Sequence, residues 1–298
     1  MHSKLLKQIN SRETVIALLF LFPVIAFSAA FILFPIFGTF VNSMYRDVSY
    51  LPRAFIGLDN YSSALTSTGF WRATVFTLLF AAVAVLLELF LGLLFALLLN
   101  EKFRGRGVLR AAVLIPWAIP TIIAGRTWQV MYQYSYGVIN FIFTSSGVAE
   151  NNINWLGTSY SAFWAIVLAD VWKTTPFVVI ILLAGLQAIP GDLYKQAKVD
   201  GATMVKRFTK ITLPLLSPVI LVAVIFRTID SLRIFDLVYV LTGGGPGGTT
   251  QTLSYIGYQH FNNDQFGMGS TISVIMFAIS FAITIVYIKK GNFKKGIN

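Results

Sequence analysis

The chain has 298 residues, 56% of them hydrophobic and 12% charged, whereas a soluble domain carries about 25% charged residues. These values exclude an ordinary soluble domain and indicate an integral membrane protein. The net charge of +11 is compatible with nucleic-acid binding, so the positions of the basic residues have to decide what that charge means. The lack of cysteine excludes disulfides and thiolate metal sites, and two histidines leave little for an imidazole site.

Six apolar runs are long enough to cross a bilayer as a helix, which takes about 20 residues. The predicted spans are residues 14–41, 73–99, 108–132, 161–186, 219–241 and 268–288. The first run continues well beyond the roughly 7 to 15 apolar residues of a signal peptide, so span 1 is interpreted as retained. Span 3 contains Pro116 and Pro120, and broken backbone is tolerated at membrane depth where it packs inside protein or lines a cavity.

The basic residues are distributed unevenly between the two ends of the spans. Sixteen of the 23 Lys and Arg residues lie before span 1, in the loop at 100–110 between spans 2 and 3, between spans 4 and 5, or after span 6, with Arg110 at the start of span 3 counted in that loop. The outer segments contain only Arg46, Arg53 and Arg72. By the positive-inside rule this asymmetry puts both termini in the cytoplasm. It also makes nucleic-acid binding unnecessary as an explanation of the charge.

Ionisable residues fall inside the predicted spans, where an unpaired charge is costly. Glu88 lies near the middle of span 2 and is either protonated, paired or facing a polar cavity; the sequence does not identify its partner. Spans 4 and 5 hold a larger group: Asp170, Lys173, Arg227, Asp230, Arg233 and Asp236. Such groups line an aqueous pathway, neutralise one another across helices, or both. A purely structural ion-pair network is the alternative interpretation.

The polar stretch at residues 187–218 separates spans 4 and 5. Asp192 stands at a position suited to an N-cap, which predicts a short helix over residues 193–199. Gly201 is predicted to break that helix, and a second helical piece is predicted at 202–212. Its apolar stripe, formed by Val205, Phe208 and Ile211, has no core of its own and therefore indicates a partner. Pro214 and Pro218 are predicted to end this second piece.

Part of this stretch matches a pattern found in one family of transport proteins. The matching residues are Tyr194, Ala197, Asp200, Gly201, Ala202, Ile211, Leu213 and Pro214. The stretch resembles the cytoplasmic loop of the permease subunits of ABC importers of the maltose-type carbohydrate-uptake group, in which it forms a coupling helix held by the ATP-binding subunit. Lys195 and Gln196 depart from the pattern, where the family has Glu and Ala, so an acidic contact to the ATPase is not carried over. The runs IPWAIP in span 3 and LTGGGPGGTT after span 5 resemble the same family.

The resemblance implies an all-α integral membrane protein with six transmembrane helices, N-in and C-in, and an ABC type I importer permease fold. Residues 1–298 would form a single transmembrane permease domain, with the cytoplasmic coupling loop at 187–218. The implied function is import of a sugar or oligosaccharide by alternating access, with glycerol phosphate or an acidic sugar as the alternative solute. The implied location is the plasma membrane (inner membrane) of a bacterium or archaeon, in a lipid bilayer.

The resemblance also implies partners: a second, similar permease, two ATP-binding subunits and an extracytoplasmic solute-binding protein. The chain contains no phosphate loop of the spacing GxxxxGK(S/T). No cofactor is therefore expected in this chain, and ATP and Mg²⁺ are expected on the partner ATPase subunits. No catalytic residue and no metal site is implied.

The site residues are implied by the resemblance as well. Positions that contact sugar in the family correspond here to Asp170, Trp172, Thr174, Phe177, Arg227, Asp230 and Ser231. Aromatic faces suit sugar rings and the polar groups suit hydroxyls; Trp172 is the principal candidate, with packing as its alternative role. The residues implied in coupling to the ATPase are Tyr194, Ala197, Asp200, Gly201, Ala202, Phe208, Leu213 and Pro214.

Two other classes of function fit the sequence less well than an ABC importer permease. A free-standing secondary transporter would use the intramembrane carboxylates for ion coupling, but the coupling-loop pattern argues against it, and no persuasive internal repeat is present. An intramembrane enzyme would need a catalytic set, and neither paired catalytic carboxylates nor a nucleophile with a base emerges from the sequence.

Reporter fusions test the predicted topology. Fusions expected to report outside end after Asn60, Asn151 and Asn263. Fusions expected to report inside end after Arg104, Lys198 and Asn298, because the basic segments stay in the cytoplasm. An outside report at Lys198 would contradict both the topology and the assignment of the coupling loop.

Overall fold

The computed structural model describes residues 11–290, so the predicted basic tail at 294–295 lies outside the described residues. Within this range, five helices are long and apolar enough to cross a membrane, and a bent pair of helices makes a sixth span when it is taken as one. The prediction of a helical, six-span membrane protein is therefore confirmed. In the described residues, strand is limited to one short hairpin, β1 Tyr45–Arg46 paired antiparallel with β2 Ala54–Phe55.

Helices make up most of the described residues. In chain order they are α1 Ser11–Ser28, α2 Phe34–Asn42, α3 Asp59–Thr66, α4 Thr68–Asn100, α5 Arg106–Ala118, α6 Thr121–Met131, α7 Val138–Ser145, α8 Ser159–Ala188, α9 Gly191–Val199, α10 Met204–Arg207, α11 Leu213–Leu232, α12 Asp236–Leu241, α13 Leu253–Asn262 and α14 Phe266–Lys290. Two π-helical turns join neighbouring helices: Ala29–Leu33 lies between α1 and α2, and Phe208–Thr212 between α10 and α11.

The first span lies at the outside of the helix bundle. It runs over Val15–Asn42, and its most apolar window has no buried residue. Only its second part, α2, packs against α14. A helix that is apolar all round and has no cover from the rest of its own chain is suited to lipid or to a second membrane subunit.

The centre of the bundle is the contact between α4 and α8. Small residues let the two helix backbones approach closely, among them Ala84 and Ala96 on α4. At Gly92, a Cβ atom would lie 2.6 Å from Val178 Cγ1, so the position has no room for a side chain. Large apolar residues such as Phe80 and Ile166 fill the space beside this contact and are fully buried.

Span 3, predicted over 108–132 with broken backbone at its prolines, consists of two helices. Helices α5 and α6 meet at an angle of 92°. Pro120 lacks a backbone N–H, and the residue before a proline is pushed out of the helical region. Ile119 accordingly is extended, with φ −74° and ψ 131°. Pro120 therefore marks the point where the chain turns by about a right angle, whereas Pro116 lies inside α5.

The predicted bounds of span 5, 219–241, are wrong at both ends. Its helix is continuous over Met204–Leu232, so Pro214 and Pro218 do not end the second helical piece. A proline crowds the carbonyl oxygen four residues earlier, which for Pro214 belongs to Lys210. Lys210 lies in the π-helical turn Phe208–Thr212, where the backbone is wider and accommodates the ring.

At its outer end, span 5 stops at Leu232, nine residues earlier than predicted for an apolar run reaching Leu241. Phe235 leaves the helical region with φ −135°, and α12 then begins a new direction. The freed carbonyl of Ile234 accepts a hydrogen bond of 3.0 Å from Thr252 Oγ1 in the outer segment. Arg233 and Asp236, predicted to lie within the span, therefore lie just beyond its end.

The polar stretch between spans 4 and 5 forms a helix, a turn and a helix, as predicted, with one correction at its start. Helix α9 begins at Gly191, and Asp192 is not its N-cap, because the cap position belongs to Pro190. Asp192 forms an ion pair of 2.8 Å with Lys195 instead. Gly201 has φ +72°, which confirms the predicted glycine break. Thr203 caps the second piece by accepting a hydrogen bond of 3.3 Å from the Lys206 amide.

Replacement of Gly92 by Ala tests the close contact of α4 and α8. The added Cβ overlaps Val178, and overpacking of this kind costs about 1 to 3 kcal/mol. Gly92→Ala is therefore expected to lower the thermal unfolding midpoint of the purified protein. The matched control is Gly38→Ala on α2, where a Cβ meets nothing within 4 Å. Equal unfolding midpoints for the two variants would contradict this close helix contact.

Candidate functional site

A buried ion pair links α4 to α11. The carboxylate of Glu88, on α4, accepts two hydrogen bonds from Arg227, on α11. One bond joins Arg227 Nε to Glu88 Oε2 at 2.5 Å, and the other joins Arg227 Nη2 to Glu88 Oε1 at 2.9 Å. Glu88 is 0% exposed and Arg227 is 4% exposed. Glu88 thus has the partner that the sequence does not identify, and the two charges neutralise each other across helices.

Helix α8 joins the same cluster. Thr174 Oγ1 donates a hydrogen bond of 2.7 Å to Glu88 Oε1, and Asp170 Oδ2 accepts one of 3.3 Å from Arg227 Nη2. Ser231, one turn after Arg227, accepts another of 3.1 Å from Nη2. Three spans therefore meet at one guanidinium group. Bidentate contacts between arginine and carboxylate are short and directional, so they fix the relative position of the helices that carry them.

A polar cavity of about 460 Å³ lies beside this cluster. Five of the seven predicted solute-binding residues line it, and they come from α8 and α11: Asp170, Thr174, Arg227, Asp230 and Ser231. The structure therefore brings together most of the residues that the family resemblance implies. A volume of this size lies within the range of about 300 to 1,000 Å³ found for small-molecule sites.

The charged groups of the cavity wall balance in number. Among the described residues, three cations line it, Lys173, Arg227 and Arg233, and so do three carboxylates, Asp170, Asp230 and Asp236. Asp230 lies between two of the cations, with Oδ1 at 2.7 Å from Arg233 Nη2 and Oδ2 at 3.7 Å from Arg227 Nη1. Glu88 adds a fourth carboxylate behind the wall. The wall therefore offers many hydrogen-bonding groups without an excess of positive charge.

Two predicted residues do not line this cavity. Trp172 is 40% exposed and contacts Trp128 of α6 edge to face, with 5.7 Å between ring centroids. Phe177 lies beside Trp117, with 6.0 Å between ring centroids, and also contacts Phe226. Trp172 lies two positions from Asp170 on α8, and successive helix residues are about 100° apart, so the two side chains leave the helix in different directions.

Sequence reasoning misses some residues of the cavity wall. Trp117 of the broken third span lines the cavity, although the IPWAIP run that contains it indicates only a resemblance to the family. Lys173, Arg233 and Asp236 are recognisable as ionisable groups at membrane depth, but the resemblance does not assign them to the site. Their charge is the signal that could place them there, because such groups face protein interiors or aqueous cavities.

The implied coupling residues form the polar stretch around α9. Tyr194 is partly buried, and its hydroxyl lies 2.9 Å from Thr212 Oγ1, which ties α9 to the π-helical turn. The amide of Ala202 donates a hydrogen bond of 2.8 Å to the carbonyl of Ala197 across the Gly201 turn. Tyr194, Ala197 and Ala202 therefore hold α9 and the following turn in place through hydrogen bonds.

Both matched and unmatched residues are exposed on the surface of this stretch. Val199, Met204 and Val205 are the most exposed large apolar residues on it, and Leu193, Leu213 and Leu215 are exposed to a smaller extent. The predicted stripe residues Phe208 and Ile211 are partly buried against the rest of the chain. Of the remaining matched residues, Ala197 and Ala202 are partly buried, whereas Asp200, Gly201, Leu213 and Pro214 are exposed.

Two relatives are similar to this chain over most of their length. The trehalose/maltose transport system permease protein MalF of Thermococcus litoralis is 52% identical over 296 residues, which is 99% of this chain and 100% of the relative. The sulfoquinovosyl glycerol transport system permease protein SmoG of Agrobacterium fabrum is 41% identical, over 93% of this chain and 90% of the relative.

A solved structure has the same fold. One chain of a bacterial ABC transporter involved in the import of the acidic polysaccharide alginate superimposes with a TM-score of 0.82, covering 97% of this chain and 98% of that chain. Its sequence identity of 23% makes this a likeness of fold alone. The likeness confirms the predicted importer permease fold.

A family model matches residues 88–289, a range that begins at the buried Glu88 and includes both cavity-lining helices and the polar stretch between them. Its description is a binding-protein-dependent transport system inner membrane component. The resemblance seen in the sequence, and the predicted location in the inner membrane, are thereby confirmed. The chain belongs to the family of binding-protein-dependent transport system inner membrane components, the membrane-spanning permease subunits of ABC importers.

Proposed function

We propose that this permease moves an uncharged sugar or oligosaccharide into the cytoplasm through the cavity between α8 and α11. The observation that carries the proposal is the composition of the cavity wall, in which three carboxylates and three cations surround a space of about 460 Å³. Carboxylate oxygens and guanidinium N–H groups are acceptors and donors for hydroxyls. The trehalose/maltose permease of Thermococcus litoralis, with 52% identity, supports the same class of solute.

An anionic solute is the second candidate, and one observation favours it. Lys173 lines the cavity, and in the part of the chain that the structure describes it forms no ion pair within 4.0 Å. A relative with 41% identity, from Agrobacterium fabrum, is named as a permease for a different sugar derivative, sulfoquinovosyl glycerol. The type of sugar therefore differs between relatives of this chain. Against this candidate stands the even balance of charge, since Asp170 lies one turn from Lys173 on the same helix face.

Energy for transport is proposed to come from ATP hydrolysed by partner subunits, because this chain has no phosphate loop. The proposed assembly contains a second, similar permease, two ATP-binding subunits and an extracytoplasmic solute-binding protein. The polar stretch at 187–218 is the proposed contact with an ATP-binding subunit. Its exposed Val199, Met204 and Val205 form an apolar surface that a protein partner would cover.

Helices α8 and α11 connect the proposed contact with the ATP-binding subunit to the cavity wall. Helix α8 carries Asp170 and Thr174 and ends at Ala188, directly before α9. Helix α11 carries Arg227, Asp230 and Ser231 and continues without interruption from α10. About 14 residues, or roughly 21 Å of helix, separate Thr174 from the end of α8. Closure of the ATPase subunits would therefore act on both walls of the cavity through rigid helices and open the pathway outward.

Reconstitution tests the proposed function. Proteoliposomes would contain this chain, the second permease, the ATP-binding subunits and the binding protein. They are expected to take up maltose or trehalose in an ATP-dependent manner and to take up glycerol phosphate or a glucuronide at no more than roughly a tenth of that rate, because an uncompensated charge in a neutral site is costly. The purified chain alone is expected to hydrolyse no ATP. Preferred uptake of the anion, or ATP turnover by the chain alone, would contradict the proposal.

Gly201→Val tests the turn in the coupling stretch. Gly201 has φ +72°, a conformation that costs other residues about 1 to 2 kcal/mol, so the turn between α9 and α10 would open. The variant is expected to co-purify with less of the ATP-binding subunit or to hydrolyse more ATP per solute transported. Lys195→Ala, an exposed change in the same stretch that departs from the family pattern, is the control and should behave closer to wild type. Wild-type assembly and uptake for Gly201→Val would refute the coupling model.

Trp172→Phe tests whether this residue contacts the solute although it lies outside the described cavity. Phenylalanine keeps an aromatic body but loses the indole N–H and some stacking area. If Trp172 contacts solute, assembled complexes should transport several-fold less solute per ATP, a loss of about 1 kcal/mol. The control is Trp71→Phe, another half-exposed tryptophan on α4. A reduced yield of complex with unchanged transport per complex would make Trp172 a packing residue against Trp128.

A further inference from the structure

Glu88 is a buried carboxylate that has no role in the transport function proposed above. It lies in the middle of α4 and is 0% exposed. It does not line the cavity, which is bounded by residues of spans 3, 4 and 5 and of the segment directly after span 5. Its two oxygens accept hydrogen bonds from Arg227 and from Thr174. Whatever Glu88 does for transport, it does through these two neighbours.

The three nitrogen atoms of the Arg227 guanidinium group differ in how many hydrogen bonds they donate. Nε donates to Glu88, and Nη2 donates to Glu88, Asp170 and Ser231. Within the described residues, Nη1 donates no hydrogen bond. Oδ2 of Asp230 lies 3.7 Å from Nη1, which is longer than a hydrogen bond. Arg227 is part of the cavity wall, so a donor with free capacity stands at the cavity.

The two bonds to Glu88 determine where this free donor points. A guanidinium is planar, and its Nε–Nη2 edge is held by both oxygens of one carboxylate. Nη1 lies in the same plane, at the corner of the guanidinium that faces away from that edge. Beside it, the Asp230 side chain is about half exposed and can accept a hydrogen bond. A donor next to an acceptor suits a hydroxyl group, which accepts from Nη1 and donates to Asp230.

We propose that Glu88 is a positioning residue for solute: it clamps one edge of Arg227 so that Nη1, together with Asp230, binds a hydroxyl of the transported molecule. The proposal rests on the proposed function, because it needs a hydroxylated solute in this cavity. It assigns to the second span, which contributes no residue to the cavity wall, a part in choosing what passes.

Glu88→Gln is the informative change because it keeps the volume of the side chain. The amide has one acceptor oxygen, while its nitrogen is a donor and would face a guanidinium N–H. The bidentate clamp cannot form, although one hydrogen bond to Arg227 remains. Arg227 keeps Asp170 and Asp230 as counter-charges, so its own charge stays compensated. Its guanidinium plane is then free to turn away from the cavity.

The experiment uses the complete complex in proteoliposomes, with maltose and with trehalose as probes, and measures solute transported per ATP hydrolysed. Glu88→Gln is expected to lower this ratio about tenfold, the effect of losing one charge-assisted hydrogen bond to the solute. The control is Glu101→Gln, at the cytoplasmic end of the same helix and exposed, which should leave the ratio unchanged. An unchanged ratio for Glu88→Gln would overturn the proposal.

A double variant separates positioning from a general structural effect. If Glu88 acts through Arg227, then Glu88→Gln should lower the ratio no further once Arg227→Gln is present. A further drop of equal size in the double variant would overturn the proposal. A lower amount of assembled complex with an unchanged ratio per complex would also overturn it, because Glu88 would then serve stability alone.

Two further measurements keep the test decisive. If Glu88→Gln yields too little complex, Glu88→Asp preserves the charge but shortens the side chain, and it too is expected to lower the ratio because both oxygens cannot reach Nε and Nη2. A normal ratio for Glu88→Asp would then count against positioning. If the wild-type complex transports neither sugar, the proposed function fails; if it transports them and the variants match it, only the role of Glu88 fails.

Discussion

The bidentate contact between Glu88 and Arg227 is the interaction on which the interior of this permease depends. Removing two charges from water is costly, and the cost is offset only when the geometry is good and the remaining hydrogen-bonding groups are satisfied. Both conditions hold, since each oxygen of Glu88 accepts a guanidinium N–H and Thr174 donates to one of them. The contact draws α4, α8 and α11 together at one point. The polar cavity opens next to that point because α8 and α11, which meet α4 there, also contribute to the cavity wall.

The cavity and the coupling stretch are parts of one continuous piece of chain. Helix α8 leads into α9, the chain turns at Gly201, and α10, the π-helical turn and α11 return to the cavity. Any displacement of the stretch is therefore transmitted to both sides of the site, whereas α4 is anchored to α8 by close packing at Gly92. In the proposed mechanism, spans 4 and 5 move with the ATP-binding subunits, and the ion pair between Glu88 and Arg227 links span 5 to span 2.

Much of the fold could be predicted from the sequence, since long apolar runs and the distribution of lysine and arginine depend only on local composition. The break at Gly201 is equally predictable, because glycine allows a positive φ that other residues avoid. Three features could not be predicted because they depend on contacts between distant residues. Span 5 ends at Leu232 because Thr252 and the packing of α12 turn the chain there, without any proline or glycine at that point. Glu88 finds its partner 139 residues away in Arg227. Helical spacing separates Trp172 from Asp170 by about 200°, but which of the two faces the cavity depends on how α8 packs against its neighbours.

Thermal unfolding of the purified permease tests most directly whether the ion pair organises the interior. Arg227→Met removes the cation and leaves Glu88 and Asp170 buried without their shared partner, so the account predicts a marked fall in the unfolding midpoint, corresponding to roughly 3 to 5 kcal/mol. Adding Glu88→Gln to Arg227→Met removes one of the stranded charges and should recover part of that loss. A double variant that unfolds at the same temperature as Arg227→Met, or below it, would show that the two charges do not depend on each other and would contradict the account.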